Sequence, residues 1–166
     1  MPATYEPIMT TTLTTSTVSF SLSSIPSTYT DLRLVMSHLA AGSYGWLSFR
    51  FNGDTGSNYS DTYIRGVGTA AQSSRNTSVT KIEVGGYQDA TTTIPALTIM
   101  DIFSYAGSTN KTVLIDYSSD SNGAGTVYRQ VSLWRNTAAI NSITITRENW
   151  NFTSGTTATL YGIKNA

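Results

Sequence analysis

ALTIMDIFSYAGSTNKTVLIDY, residues 96–117, is two runs of strand-forming residues around a short polar loop. The first run, Ala96 to Tyr105, carries Leu97, Ile99, Met100, Ile102 and Phe103 and leaves few polar positions on either face, which marks a central strand. The second, Lys111 to Tyr117, follows a tight loop at Gly107 to Asn110, so the two read as a hairpin.

The same period of two continues outward in both directions. Downstream, Thr126 to Trp134, Ser142 to Thr146 and Thr157 to Ile163 are further strands, with a single helical turn predicted at Asn136 to Ile140 and a loop at Asn149 to Gly155. Upstream, Val18, Phe20 and Leu22 alternate with serines, Leu32, Leu34 and Met36 share one face of Asp31 to Ser37, and Leu47, Phe49 and Phe51 share one face of Trp46 to Phe51. Thr62 to Val67 and Val79 to Val84 are shorter and lie among glycines, as peripheral strands do. No segment keeps a helical period for twelve residues. About ten short antiparallel strands without intervening helices can bury their apolar faces only by stacking or closing sheets. The expected fold is all-β: a two-sheet antiparallel β-sandwich, jelly-roll-like, spanning residues 16–166 as a single domain.

Residues 1–15 alternate poorly and contain Pro2 and Pro7, so they read as an extended arm. Tyr5, Pro7, Ile8, Met9 and Leu13 are more apolar than a free tail needs. The arm either packs on its own domain or docks on a neighbour, and these five residues are the candidate partner-binding set.

Composition narrows the chemistry. The 166 residues hold ten Lys plus Arg, ten Asp plus Glu, one histidine and no cysteine, while 28 threonines and 22 serines take up the deficit of charge. Threonine suits a half-buried pleat because its β-branch packs and its hydroxyl tolerates water. A net charge of zero disfavours a nucleic-acid or anionic-membrane partner. The start lacks the basic flank and apolar run of a secretory signal, and no apolar run reaches membrane-spanning length, so synthesis in the host cytoplasm is expected. Without cysteine there is no disulfide or thiolate chemistry. His38 has no histidine or cysteine partner and reads as a surface or capping residue. Asn52, Asp54, Ser57, Asn58 and Asp61, and separately Asp116, Asp120 and Asn122, form oxygen-rich turns without the spacing of a calcium loop. No catalytic residue, metal or cofactor is expected, and the protein is read as a non-enzyme. Tyr44, Trp46, Tyr59 and Tyr63 crowd around polar loops. They form either a surface for carbohydrate or a protein partner, or a second small core beneath the loops.

Five segments, SFSLSSIPSTYTDLRLVMS (19–37), RFNGDTGSNYS (50–60), DIFSYAGSTNKTVL (101–114), SLWRNTAAINSITIT (132–146) and TLYGIK (159–164), resemble small virion-associated β-sandwich proteins of tailed bacteriophages, of the cyanophage and aquatic-phage type. The resemblance implies a virion structural protein that binds capsid or tail proteins, forms a trimer and has no catalytic residues. A chain that begins at Met1 without a fibrous stem favours a free-standing capsid decoration protein. The alternative is a tail-fibre or receptor-binding tip that recognises host surface carbohydrate.

Overall fold

The computed structural model describes residues 5–42, 44–86 and 90–164. They form twelve strands: β1 (Tyr5–Thr12), β2 (Ser19–Ser23), β3 (Asp31–His38), β4 (Trp46–Phe51), β5 (Tyr59–Val67), β6 (Ala70–Val79), β7 (Ile82–Gly85), β8 (Ala96–Phe103), β9 (Lys111–Ser119), β10 (Thr126–Trp134), β11 (Ser142–Arg147) and β12 (Thr157–Ile163). Eight make one antiparallel sheet in the order β1-β12-β3-β8-β9-β10-β5-β6, and four make the other in the order β2-β11-β4-β7. The chain crosses repeatedly between the two, which is the path of a jelly roll. Where a plain jelly roll has one strand, this chain has the meander β8-β9-β10. An odd number of strands leaves the meander running as a single strand would, so β3 on one flank and β5 on the other both stay antiparallel to it.

Alternation places the core. Leu32, Leu34 and Met36 of β3, Met100 and Ile102 of β8, Val113 and Ile115 of β9 and Leu160 of β12 face inward and are fully buried. Leu47, Phe49, Phe51, Ile82, Val84, Ile143 and Ile145 meet them from the smaller sheet. The hydroxyl-rich strands thus retain an apolar interior, because every second position is enough to line the space of about 10 Å between sheets.

Two strands were not expected. Residues 5–12, read as an arm, are β1, the edge strand of the large sheet, paired with β12 across a bulge between Pro7 and Met9. Ile8, Met9 and Leu13 are half-buried against the core of their own domain. The second is β6, which forms a hairpin with β5 and has almost no buried residue. Asn136 to Ile140 is not a helical turn: the Asn136 side chain accepts from the Ala138 N–H and holds an irregular turn. The one short 3-10 turn among the described residues is Ser121–Gly123, whose Gly123 N–H donates to the Asp120 carboxylate. His38 is fully buried rather than at the surface, its ring set edge-on to Phe152 at 5.9 Å and beside Tyr117 at 6.1 Å.

Candidate interaction surface

With the inner face of the large sheet committed to the core, ordinary alternation leaves the outer face to solvent and polar side chains. Here it does not stay polar. Cross-strand register lines up Val35 of β3 with Ile99 of β8, then the pair Asp116 of β9 and Arg129 of β10, then Ile64 of β5. The adjacent row runs Tyr161 of β12, Arg33, Asp101, Leu114 and Val131. Leu97 and Val127 lie on one side of these rows and Phe103 and Leu133 on the other. Ile64 and Val127 are 63% and 66% exposed, and Val35, Leu97, Ile99, Phe103 and Val131 are also exposed. Strands about 4.8 Å apart carry these residues in continuous register, so they form one apolar field rather than scattered single side chains.

The charges inside that field are paired off. Arg33 grips Asp101 through two bonds, Nε to Oδ1 at 2.6 Å and Nη2 to Oδ2 at 2.7 Å. Arg129 donates Nη1 to both oxygens of Asp116 at 2.7 Å. The Asp101 carboxylate holds the Arg33 guanidinium above its ordinary pKa, chiefly by that hydrogen bond. Each guanidinium meets a directly opposed carboxylate, so a partner covering this face meets no unpaired charge in either pair. Shallow grooves open along the sheet, among them ones lined by Ile64, Gly66 and Val127, by Thr62, Val131 and Leu133, and by Ile94, Pro95 and Leu97.

The residues singled out from sequence fall in different places. Tyr5 is exposed at the β1 edge of the same sheet, with the Arg33 guanidinium 5.5 Å from its ring centre, and Pro7 is exposed beside it. Tyr59 is a core residue and leaves the candidate surface. It is fully buried, stacked 6.3 Å from Trp134, with its hydroxyl accepting from the Phe51 N–H at 3.1 Å, and burial pushes its pKa up to about 12. Tyr63 is half-buried on the inner side, its ring 4.7 Å from that of Tyr128. Tyr44 is exposed and Trp46 half-buried over Gly86, so these two alone of the four aromatics share a loop end. Trp150, not singled out from sequence, joins that end: it is 47% exposed and its indole lies against Gly42. A lone tryptophan in a polar loop gives no periodic signal, whereas Leu97, Ile99 and Phe103 already announced a second apolar face on β8.

The oxygen-rich turns hold protein donors. Asp54 accepts from the Gly56 N–H, the Asn58 side chain and the Trp134 indole. Burial pushes its pKa up, and these donors outweigh it, so the net shift is downward. Among the described residues no three His, Cys, Asp or Glu side chains cluster to hold a metal ion. Comparison with protein-family models, curated proteins and solved structures finds no match.

Proposed function

We propose that this protein is a non-enzymatic structural component of a bacteriophage particle, a capsid decoration protein that binds other virion proteins through the outer face of its large sheet. The observation that carries the reading is the registered apolar field with its two internal ion pairs. Exposed apolar patches of this continuity mark protein contact sites, and paired-off charges lower the desolvation penalty of covering them. Jelly rolls recur in viral capsid and lectin domains, which supports the reading by analogy of fold. The segments that resemble tailed-phage virion proteins support it independently. On this reading the protein resides in the virion and has no cofactor. Counting its copies in purified particles and locating it by antibody labelling tests the proposal. Hundreds of copies on the capsid are expected; absence from the particle refutes it.

The second reading, a tail-associated tip that binds host carbohydrate, is favoured by the exposed Tyr44 and Trp150 with Trp46 beside them. Rings of this kind stack on sugar faces. It predicts a few to some tens of copies at the tail and loss of host-cell binding in Trp150→Ala with unchanged melting.

A further inference from the structure

The large sheet has two free edges, and they are built differently. At one edge β1 carries Pro7, which has no N–H to offer, a bulge between Pro7 and Met9, and an ion pair from Glu6 to Lys164. Such features block further strand addition. At the other edge β6 (AAQSSRNTSV) has ten residues, no proline and one charge, Arg75, and it is exposed along both faces from Ala70 to Ser78. Among the described residues it pairs only with β5, in unbroken register from Val67↔Ala70 to Asp61↔Asn76. The two-residue turn at Gly68 and Thr69 closes on the hydrogen-bonded pair Val67 and Ala70. Hydrogen-bonded pairs then recur at every second position. Ala71, Ser73 and Arg75 therefore aim their N–H and C=O groups away from β5, into the open edge.

We propose that β6 is a self-pairing edge: it joins β6 of a second copy antiparallel about a two-fold axis at Ser73, merging the two large sheets into one of sixteen strands. Ser73 is midway between the turn at Ala70 and the end of regular register at Asn76, so this centring gives the longest overlap. It matches the outward groups of Ala71, Ser73 and Arg75 with those of Arg75, Ser73 and Ala71 of the second copy, about six backbone hydrogen bonds by the antiparallel pattern. Centring on Arg75 instead would set two guanidinium groups opposite each other.

The side chains favour the same occupant. Across the axis Arg75 lies opposite Ala71, on the outer face, where the neighbouring strand offers Gly66. A groove of about 540 Å³ opens there, lined in part by Ile64, Gly66, Ala71, Ser73 and Val127. A Cβ placed on Gly66 would meet nothing within 4 Å. The aliphatic stem of Arg75 fits that apolar trough with its head at the solvent end. Arg129 borders the groove, but its charge is taken up by Asp116. Each copy supplies one projecting arginine and one receiving groove, the self-complementarity a two-fold contact requires. The resemblance implied a threefold assembly; the edge points to a two-fold one. Two copies joined in this way carry their apolar outer faces on one sheet, so a second docking event becomes intramolecular.

Sedimentation equilibrium of the full chain from about 1 to 100 μM, on the concentration scale where weak interfaces associate, tests the proposal. The wild type is expected to shift from 17.9 kDa to twice that mass. Ser73→Pro removes only an outward N–H and is tolerated on an edge, and Ala71→Arg fills the receiving groove without touching the backbone. Both are expected to remain at 17.9 kDa with the wild-type circular dichroism spectrum. A wild type that stays monomeric throughout overturns the proposal, as does a dimer or trimer unchanged by both variants. Neither result depends on particle binding, which tests the outer face alone.

Discussion

Replacing Leu97 and Val131 together by threonine separates what the outer face does for folding from what it does for binding. The two residues are 51% and 45% exposed, so folding removes about half of each side chain from water. Full burial of such a side chain contributes ~1.5–3 kcal/mol, which puts the combined folding loss at ~1.5–3 kcal/mol. Threonine keeps one methyl group at each position, and at Val131 the β-branch as well, so this is an upper limit. At ~2–4 °C per kcal/mol for a chain of this size, melting should fall by no more than about 12 °C. A docked partner would cover the remaining halves, and losing them should weaken binding by a similar ~1.5–3 kcal/mol, about 10- to 100-fold. The control is Val113→Thr with Ile115→Thr, two fully buried inner-face positions of β9, where cavity and buried hydroxyl terms should cost ~2 kcal/mol or more at each site. Thermal melting by circular dichroism and binding to particles stripped of the protein give the two readouts. The reasoning is refuted if the outer pair melts as low as the inner pair, or if it binds within twofold of wild type.

Trp134→Ala should lower stability by ~3–5 kcal/mol, because it removes a fully buried ring packed on Tyr59 and Phe51 and the indole donor of Asp54; urea unfolding checks it, and a loss under 2 kcal/mol on that scale contradicts it. Asn52 has a left-handed φ of 54°, donates Nδ2 to the Ala139 carbonyl and accepts the Asn141 and Ser142 N–H groups on Oδ1. Asn52→Gly loses those bonds but keeps the backbone, whereas Asn52→Ala also meets ~1 kcal/mol or more of left-handed strain; denaturation curves should rank glycine above alanine, and the reverse order sinks the argument. Glu148 is bonded to Lys81 and to the Ser48 hydroxyl, and its pKa is lowered first by Lys81. Its contribution is whole above the ordinary glutamate value of 4.5 and is lost as pH falls through the lower folded-state value. Asp61, whose pKa burial raises, acts in the opposite sense and gains stability on protonation. Melting temperature followed downward from pH 5 should therefore fall less steeply in Glu148→Gln than in wild type, and equal slopes would rule the Lys81–Glu148 latch out of the acid response.

The sequence by itself determined the fold class and most strands. Trp46–Phe51, Thr126–Trp134 and Thr157–Ile163 are strands with the bounds read from their alternation, since a sheet with one buried face writes its period directly into the order of apolar residues. It also determined β8 as a central strand with few polar positions on either face; Leu97, Ile99 and Phe103 on its second face are the exposed field. Alternation says which residues share a side but not whether anything covers it. Only the tertiary structure decided that, because four strands stand opposite eight and the smaller sheet lies wholly on the inner face. Tyr59 shows the same limit from the other side, being polar-flanked in sequence yet stacked on Trp134 in the core. The edge strands were the least legible. Pro7 and the bulge broke the period in β1, and β6 buries only part of Val79 at its end, so no apolar alternation recorded its register; its strand conformation comes from hydrogen bonds to β5, which depend on backbone groups rather than on side-chain type.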